Sequence, residues 1–138
     1  VCERARALQM KVLAYDPFLS EEKAESMGID KVELNELLEK SDFITLHVPF
    51  TDATKNILSR ENLRKTKQGV RIINCARGGL IDESEASIAF DKGIIGGIGL
   101  DVIEDVSENP TSPLFNNNNV IITPHTAFFS KASSSCLI

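Results

Sequence analysis

The sequence predicts a doubly wound α/β domain built on a parallel sheet, and three observations carry that prediction. Short apolar runs alternate with helix-like stretches along the 138 residues. The runs are continuously apolar, as in strands covered on both faces of a parallel sheet. Asp16, His47, Arg77, Asp101 and His125 each follow the end of such a run, and ligands of open α/β sheets bind at the carboxyl ends of the strands.

The elements follow in order. Val1 to Leu8 reads as helix with nothing to cap its start, so its true beginning is expected upstream. Lys11 to Tyr15 is a strand closed by Asp16-Pro17. Ser20 caps the next helix, with Glu21 and Glu22 in the first turn and Gly28 as its C-cap. Asn35 is expected to cap a short helix from Glu36 to Lys40. Phe43 to Val48 is a strand stopped by Pro49. Ser59 caps a helix reaching Lys65, and Gly69 ends that connection. Val70 to Asn74 is a third strand. Asp82 and Glu85 form a capping box, Ala86, Ala89 and Phe90 an apolar face, and Gly93 the stop. Ile94 to Val102 is a glycine-rich strand, and Val120 to Thr123 is the last, stopped by Pro124. There is no internal repeat, and Asn116 to Asn119 is a polar loop.

Composition narrows the function classes. With 15 basic and 20 acidic residues the net charge is -5, which argues against a nucleic-acid partner. Scattered lysines and arginines, and no apolar run of roughly 20 residues, give no support for a membrane partner. Three separated cysteines, Cys2, Cys75 and Cys136, suggest reduced thiols and a cytoplasmic setting. Cys/His spacing for zinc is absent.

The block Asn74-Cys75-Ala76-Arg77-Gly78-Gly79 is the most informative. An arginine beside two glycines at a strand end can grip a small carboxylate through two parallel hydrogen bonds, or it can pair with Asp82 or Glu83. Asp16 is either a turn residue or, in a dinucleotide fold, the acid that holds the ribose hydroxyls and repels a 2′-phosphate. His47 and His125 are structural or general acid/base candidates. Asp101 caps a loop or touches a ligand. The glycines from Gly93 to Gly99 enter a strand instead of leaving one, which suits close backbone packing and not a phosphate loop.

These residues lie within segments that resemble the D-isomer-specific 2-hydroxyacid dehydrogenases: Met10 to Pro17, Ser41 to Pro49, Gly69 to Glu83, Gly99 to Val102 and Asn119 to His125. The likeness is greatest to phosphoglycerate dehydrogenase-like members. It implies a Rossmann-type domain, NAD as cofactor and a small 2-hydroxy or 2-keto acid as substrate. Asp16, flanked by Tyr15 and Pro17, would hold the adenosine ribose. His47, Val48, Pro49 and Thr54 would line the cofactor, with Cys75 and Ala76 touching it through backbone. Arg77 would bind the substrate carboxylate, Asp101 the nicotinamide amide, and His125 would pass the proton, so that Arg77 and His125 are the catalytic pair.

The resemblance also sets expectations of absence. The family's first strand and phosphate loop precede Val1, and its substrate domain lies outside the chain. Residues 1–124 are read as a partial dinucleotide-binding domain and 125–138 as the start of the return to the substrate domain. The family's histidine-orienting glutamate falls at Val106, where Glu104, Asp105 or Glu108 is the substitute if the loop is shifted. Thr126-Ala127-Phe128-Phe129-Ser130 resembles the D-lactate dehydrogenase-like branches. The isolated chain is therefore expected to be inactive, and the full-length protein an NAD-dependent, homodimeric oxidoreductase. The alternative is a non-catalytic module that senses NAD or binds a partner.

Overall fold

The computed structural model describes residues 1–104 and 111–128. Helix α1 (Cys2–Ala7) leads to β1 (Leu13–Ala14), α2 (Glu21–Met27) and β2 (Asp30–Lys31). Strands β1 and β2 pair in parallel, Leu13 with Asp30 and Ala14 with Lys31. Helix α2 is the crossover between them. Ser20 caps it by accepting from the Lys23 amide, and Gly28 ends it in the left-handed conformation. Strand β2 was not anticipated from sequence: at two residues it carries no apolar run for a periodicity argument to detect.

The rest of the chain builds a second sheet from β3 (Phe43–Leu46), β4 (Val70–Asn74), β5 (Ile95–Leu100) and β6 (Val120–Ile122), all parallel and in that order. Between them run α3 (Leu34–Lys40), α4 (Arg60–Leu63) and α5 (Glu83–Asp91). The strands are thus divided between a two-stranded and a four-stranded sheet. The expected alternation of helix and parallel strand is present throughout.

Two of the three anticipated caps in this half are observed. Ser59 accepts from the Asn62 amide and Asp82 from the Glu85 amide. The capping box is half made, because the Asp82 amide donates instead to the Leu58 carbonyl. The third cap is different: α3 begins at Leu34 behind Glu33, with no side-chain cap. Asn35 lies inside that helix, where its Oδ1 accepts from Lys65 Nζ at 3.1 Å. A tertiary contact to the end of α4 has taken the side chain that local sequence would assign to capping.

The core lies on one face of the four-stranded sheet. Leu38, Ile72, Leu80, Ala86 and Leu114 are fully buried there. The expectation of two covered faces holds for this face alone. In β3, Ile44 and Leu46 are buried while Phe43 is 50% exposed, and in β6 Ile121 is 72% exposed. On the open face Phe43 carries the Arg71 guanidinium, 5.6 Å from its ring centre. Of the β5 glycines Gly96 alone shows the expected close backbone packing: a Cβ there would stand 2.6 Å from the Gly69 carbonyl oxygen, whereas Gly97 has ordinary contacts and Gly99 has nothing within 4 Å.

The centre of β4 is the most sensitive point of this core. Ile72→Ala would lose a fully buried side chain and is expected to cost about 2–5 kcal/mol, whereas truncating the exposed Ile121 should cost well under half of that. Denaturant midpoints of the two variants, compared with the parent, check the difference.

Candidate active site at the carboxyl edge of the sheet

Register brings four strand ends into one row. Leu46 pairs with Asn74, Asn74 with Leu100, and Leu100 with Ile122. The residues that follow, His47, Cys75, Asp101 and Thr123, therefore line one edge, with neighbouring strands about 4.8 Å apart. Arg77 and His125 each lie two residues beyond that row. Asp16 lies two residues beyond the end of β1, in the other sheet.

Arg77 is placed by Asn74, which is 2% exposed. The Asn74 Oδ1 accepts from the Ala76 amide at 3.0 Å, and its Nδ2 donates to the Arg77 carbonyl at 2.8 Å. One side chain thereby ties down the turn Cys75–Arg77. Two glycines complete it. A Cβ on Gly78 would lie 2.1 Å from the Ile103 carbonyl oxygen, and Gly79 has φ 74°. The Arg77 side chain is exposed, and Nη1 donates to the Ala76 carbonyl at 2.6 Å. Among the described residues it forms no ion pair, and Asp82 is occupied with its cap. The guanidinium thus keeps most of its five donors for a ligand. Cys75 is a free, exposed thiol beside it, and Ala76 packs partly against the core.

His125 is placed by Asp101 in the same manner. The Asp101 carboxylate, 3% exposed, accepts from the Thr123 hydroxyl, from the Thr126 amide at 2.9 Å and from the Ala127 amide at 2.8 Å. The turn so gathered holds His125 in a left-handed conformation with φ 54°, a strained state of order 1 kcal/mol or more for such a residue. The Phe128 ring meets the imidazole edge-on at 6.0 Å. The Thr123 hydroxyl above all, then the two amides and the charge of His125, holds the Asp101 carboxyl below its ordinary value of 3.8, against the opposing effect of burial. Asp101 is thus a loop cap.

The two brackets are joined. The Asp101 amide donates to the Asn74 carbonyl at 2.9 Å. Asn74, read in the sequence only as part of its most informative block, is the supporting residue to which sequence reasoning gave no role. Its only signal is its type: a carboxamide directly after four residues of strand, where a buried side chain must satisfy its own hydrogen bonds.

The other candidates have their own surroundings. His47 is exposed and its Nε2 lies 3.0 Å from Thr45 Oγ1. Partial desolvation of the ring lowers its pKa below 6.5. Val48 packs against the core and Pro49 is exposed. Thr54 accepts from the Thr51 amide at 2.8 Å and donates to the Pro49 carbonyl at 2.6 Å, which closes the loop after β3. Tyr15 is half-buried, and Asp16 and Pro17 are exposed. One Asp16 oxygen accepts from the Phe18 amide at 2.8 Å, so its turn role is real, and among the described residues its second oxygen takes no hydrogen bond. Asp105, Val106 and Glu108 lie outside the described residues. Glu104 is exposed.

Comparison with known proteins gives one answer. The profile of the D-isomer specific 2-hydroxyacid dehydrogenase NAD binding domain matches residues 1–127. D-3-phosphoglycerate dehydrogenase of Bacillus subtilis is 46% identical over 125 residues, 91% of this chain and 24% of that protein. Glyoxylate reductase of Korarchaeum cryptofilum is 37% identical over 98% of this chain and 41% of its own length. Among solved structures, D-lactate dehydrogenase from Aquifex aeolicus, in complex with NAD and lactic acid, superposes with a TM-score of 0.88 at 35% identity, covering 98% of this chain and 45% of that one. The chain thus spans about a quarter to a half of the length of these relatives.

Asp101 makes the edge sensitive to acid. Because its folded pKa is depressed, the stability it contributes is full above the unfolded value and is lost as pH falls through the folded one. Unfolding free energies measured from neutral pH down to pH about 2 should therefore fall less steeply in Asp101→Asn than in the parent, and equal slopes would contradict the assignment.

Proposed function

The chain belongs to the D-isomer specific 2-hydroxyacid dehydrogenases, through their NAD-binding domain, and we propose that the full-length protein is an NAD-dependent oxidoreductase interconverting a D-2-hydroxy acid and a 2-keto acid. The observation that carries the proposal is the pairing of an exposed arginine, in no ion pair among the described residues, and a histidine on two joined brackets at one sheet edge. Arg77 binds the substrate carboxylate and polarises the neighbouring carbonyl. His125 delivers or removes the proton of the hydroxyl oxygen, a task an imidazole performs as general acid or base.

The residues at the edge suit NAD. Asp16 has one oxygen free for the ribose hydroxyls, and its charge disfavours a 2′-phosphate. Tyr15 and Pro17 flank that position. His47, Val48, Pro49 and Thr54 line the bound cofactor beyond it, with Cys75 and Ala76 in reach through backbone. Asp101 meets the nicotinamide amide. NAD supplies the hydride chemistry when bound; the protein orients and polarises.

In this reading residues 1–124 are a partial cofactor-binding domain and 125–138 the start of the return toward a substrate domain. The substrate belongs among those named by the relatives, a phosphoglycerate, lactate or glyoxylate type of acid. No helix among the described residues is long and apolar enough to cross a membrane, and a cytoplasmic, homodimeric enzyme is the setting proposed. The chain alone, at about a quarter of the phosphoglycerate dehydrogenases it matches, is expected to turn over far more slowly than the full protein.

Full-length protein with NADH should reduce at least one of 3-phosphohydroxypyruvate, pyruvate and glyoxylate, followed by NADH absorbance. Arg77→Met should lower kcat/KM by about a hundredfold or more with little change in NADH affinity. Asp16→Ala should weaken NADH binding about tenfold and narrow the preference over NADPH. Absence of turnover with every keto acid tried would overturn the proposal.

A further inference from the structure

Glu83 is the first residue of α5, six residues after Arg77, and each of its carboxylate oxygens is bonded to a distant part of the chain. Its Oε1 accepts from the Glu104 amide at 3.0 Å and its Oε2 from the Ser112 hydroxyl at 2.5 Å, partners that stand 21 and 29 residues further along. Ser112 is itself 8% exposed, and its hydroxyl oxygen also accepts from the Leu114 amide at 3.3 Å. Leu114 is fully buried in the core. Helix capping does not use Glu83, because Asp82 performs it. Nothing local calls for an acid whose two oxygens reach two separate segments.

What the carboxylate holds in place is the wall against which the Arg77 turn rests. The backbone at Ile103 and Glu104 lies so near Gly78 that no Cβ fits between them. Asn74 holds the turn from the strand side; the Ile103–Glu104 backbone limits it from the other. We propose that Glu83 is a positioning residue for Arg77: by latching Glu104 and Ser112 it fixes this wall and so the place of the guanidinium. The role rests on the proposed function, since Arg77 is its beneficiary. Charge-assisted bonds of this kind are among the stronger ones a surface-near acid can make.

Glutamine is the informative replacement. Its carbonyl oxygen can still accept from the Glu104 amide, and its NH2 can donate to the free lone pair of Ser112 Oγ. Glu83→Gln should therefore keep the latch without the charge, and Glu83→Ala should abolish it. On the full-length protein, Glu83→Ala is expected to raise KM for the keto acid about tenfold with unchanged NADH affinity, and to speed hydrogen exchange of the Glu104 amide by at least about tenfold. Glu83→Gln should restore both to near the parent values. Ser112→Ala, which removes one arm only, should fall between, and it decides the matter if Glu83→Ala does not fold. Parent-like KM and exchange in Glu83→Ala, or a glutamine variant as impaired as the alanine one, would overturn the assignment. If the parent itself reduces no keto acid, the functional reading fails, while the exchange comparison still decides whether the latch exists.

Discussion

The site depends on one main-chain hydrogen bond, from the Asp101 amide to the Asn74 carbonyl. It joins the ends of β4 and β5, and on either side of it stands a buried polar side chain that serves as a bracket. Asn74 gathers the turn leading to Arg77, and Asp101 gathers the turn leading to His125. Buried polar groups are costly unless bonded, and here every bond they make is to a loop. The cost of desolvating the two polar side chains is offset by these hydrogen bonds, and the turns they fix carry two exposed side chains.

This arrangement explains why the reactive groups are exposed while their supports are not. In the proposed function the Arg77 guanidinium and the His125 imidazole meet a ligand, so neither can be held by burial of its own side chain. Their backbones are held instead, and the strain at His125 persists because three donors converge on Asp101. The glycines fit the same scheme: Gly78 has no room for a side chain because the neighbouring backbone is part of the support. Such over-determined turns keep positions to within the tolerance that polarising a carbonyl demands.

Much of this was legible in the sequence. The parallel α/β pattern, the caps at Ser20, Ser59 and Asp82, and the run of strand-end candidates rest on local signals, and local geometry obeys them. Arg77 was readable as a carboxylate grip or an ion-pair partner of Asp82 or Glu83, and in the structure neither acid takes it. What local signals could not reveal were tertiary claims on polar side chains. Asn35 left its cap for Lys65, Asp101 spent its carboxylate on a turn some 25 residues away, and Asn74 gave no sign of bracketing anything. Strand β2 was invisible because it is held by pairing with β1, not by its own composition. The uncovered sheet face was likewise unreadable, since a continuous apolar run reports what could be buried and not what arrives to bury it.

The most direct test is a crystal structure of the full-length protein with NADH and oxamate, an unreactive mimic of a keto acid. The account predicts the oxamate carboxylate in a two-point contact with the Arg77 guanidinium at about 2.8 Å, the His125 imidazole on the neighbouring carbonyl oxygen, and the Asn74 and Asp101 bonds intact. An oxamate bound away from Arg77, or an Arg77 turn released from Asn74 in the complex, would contradict it.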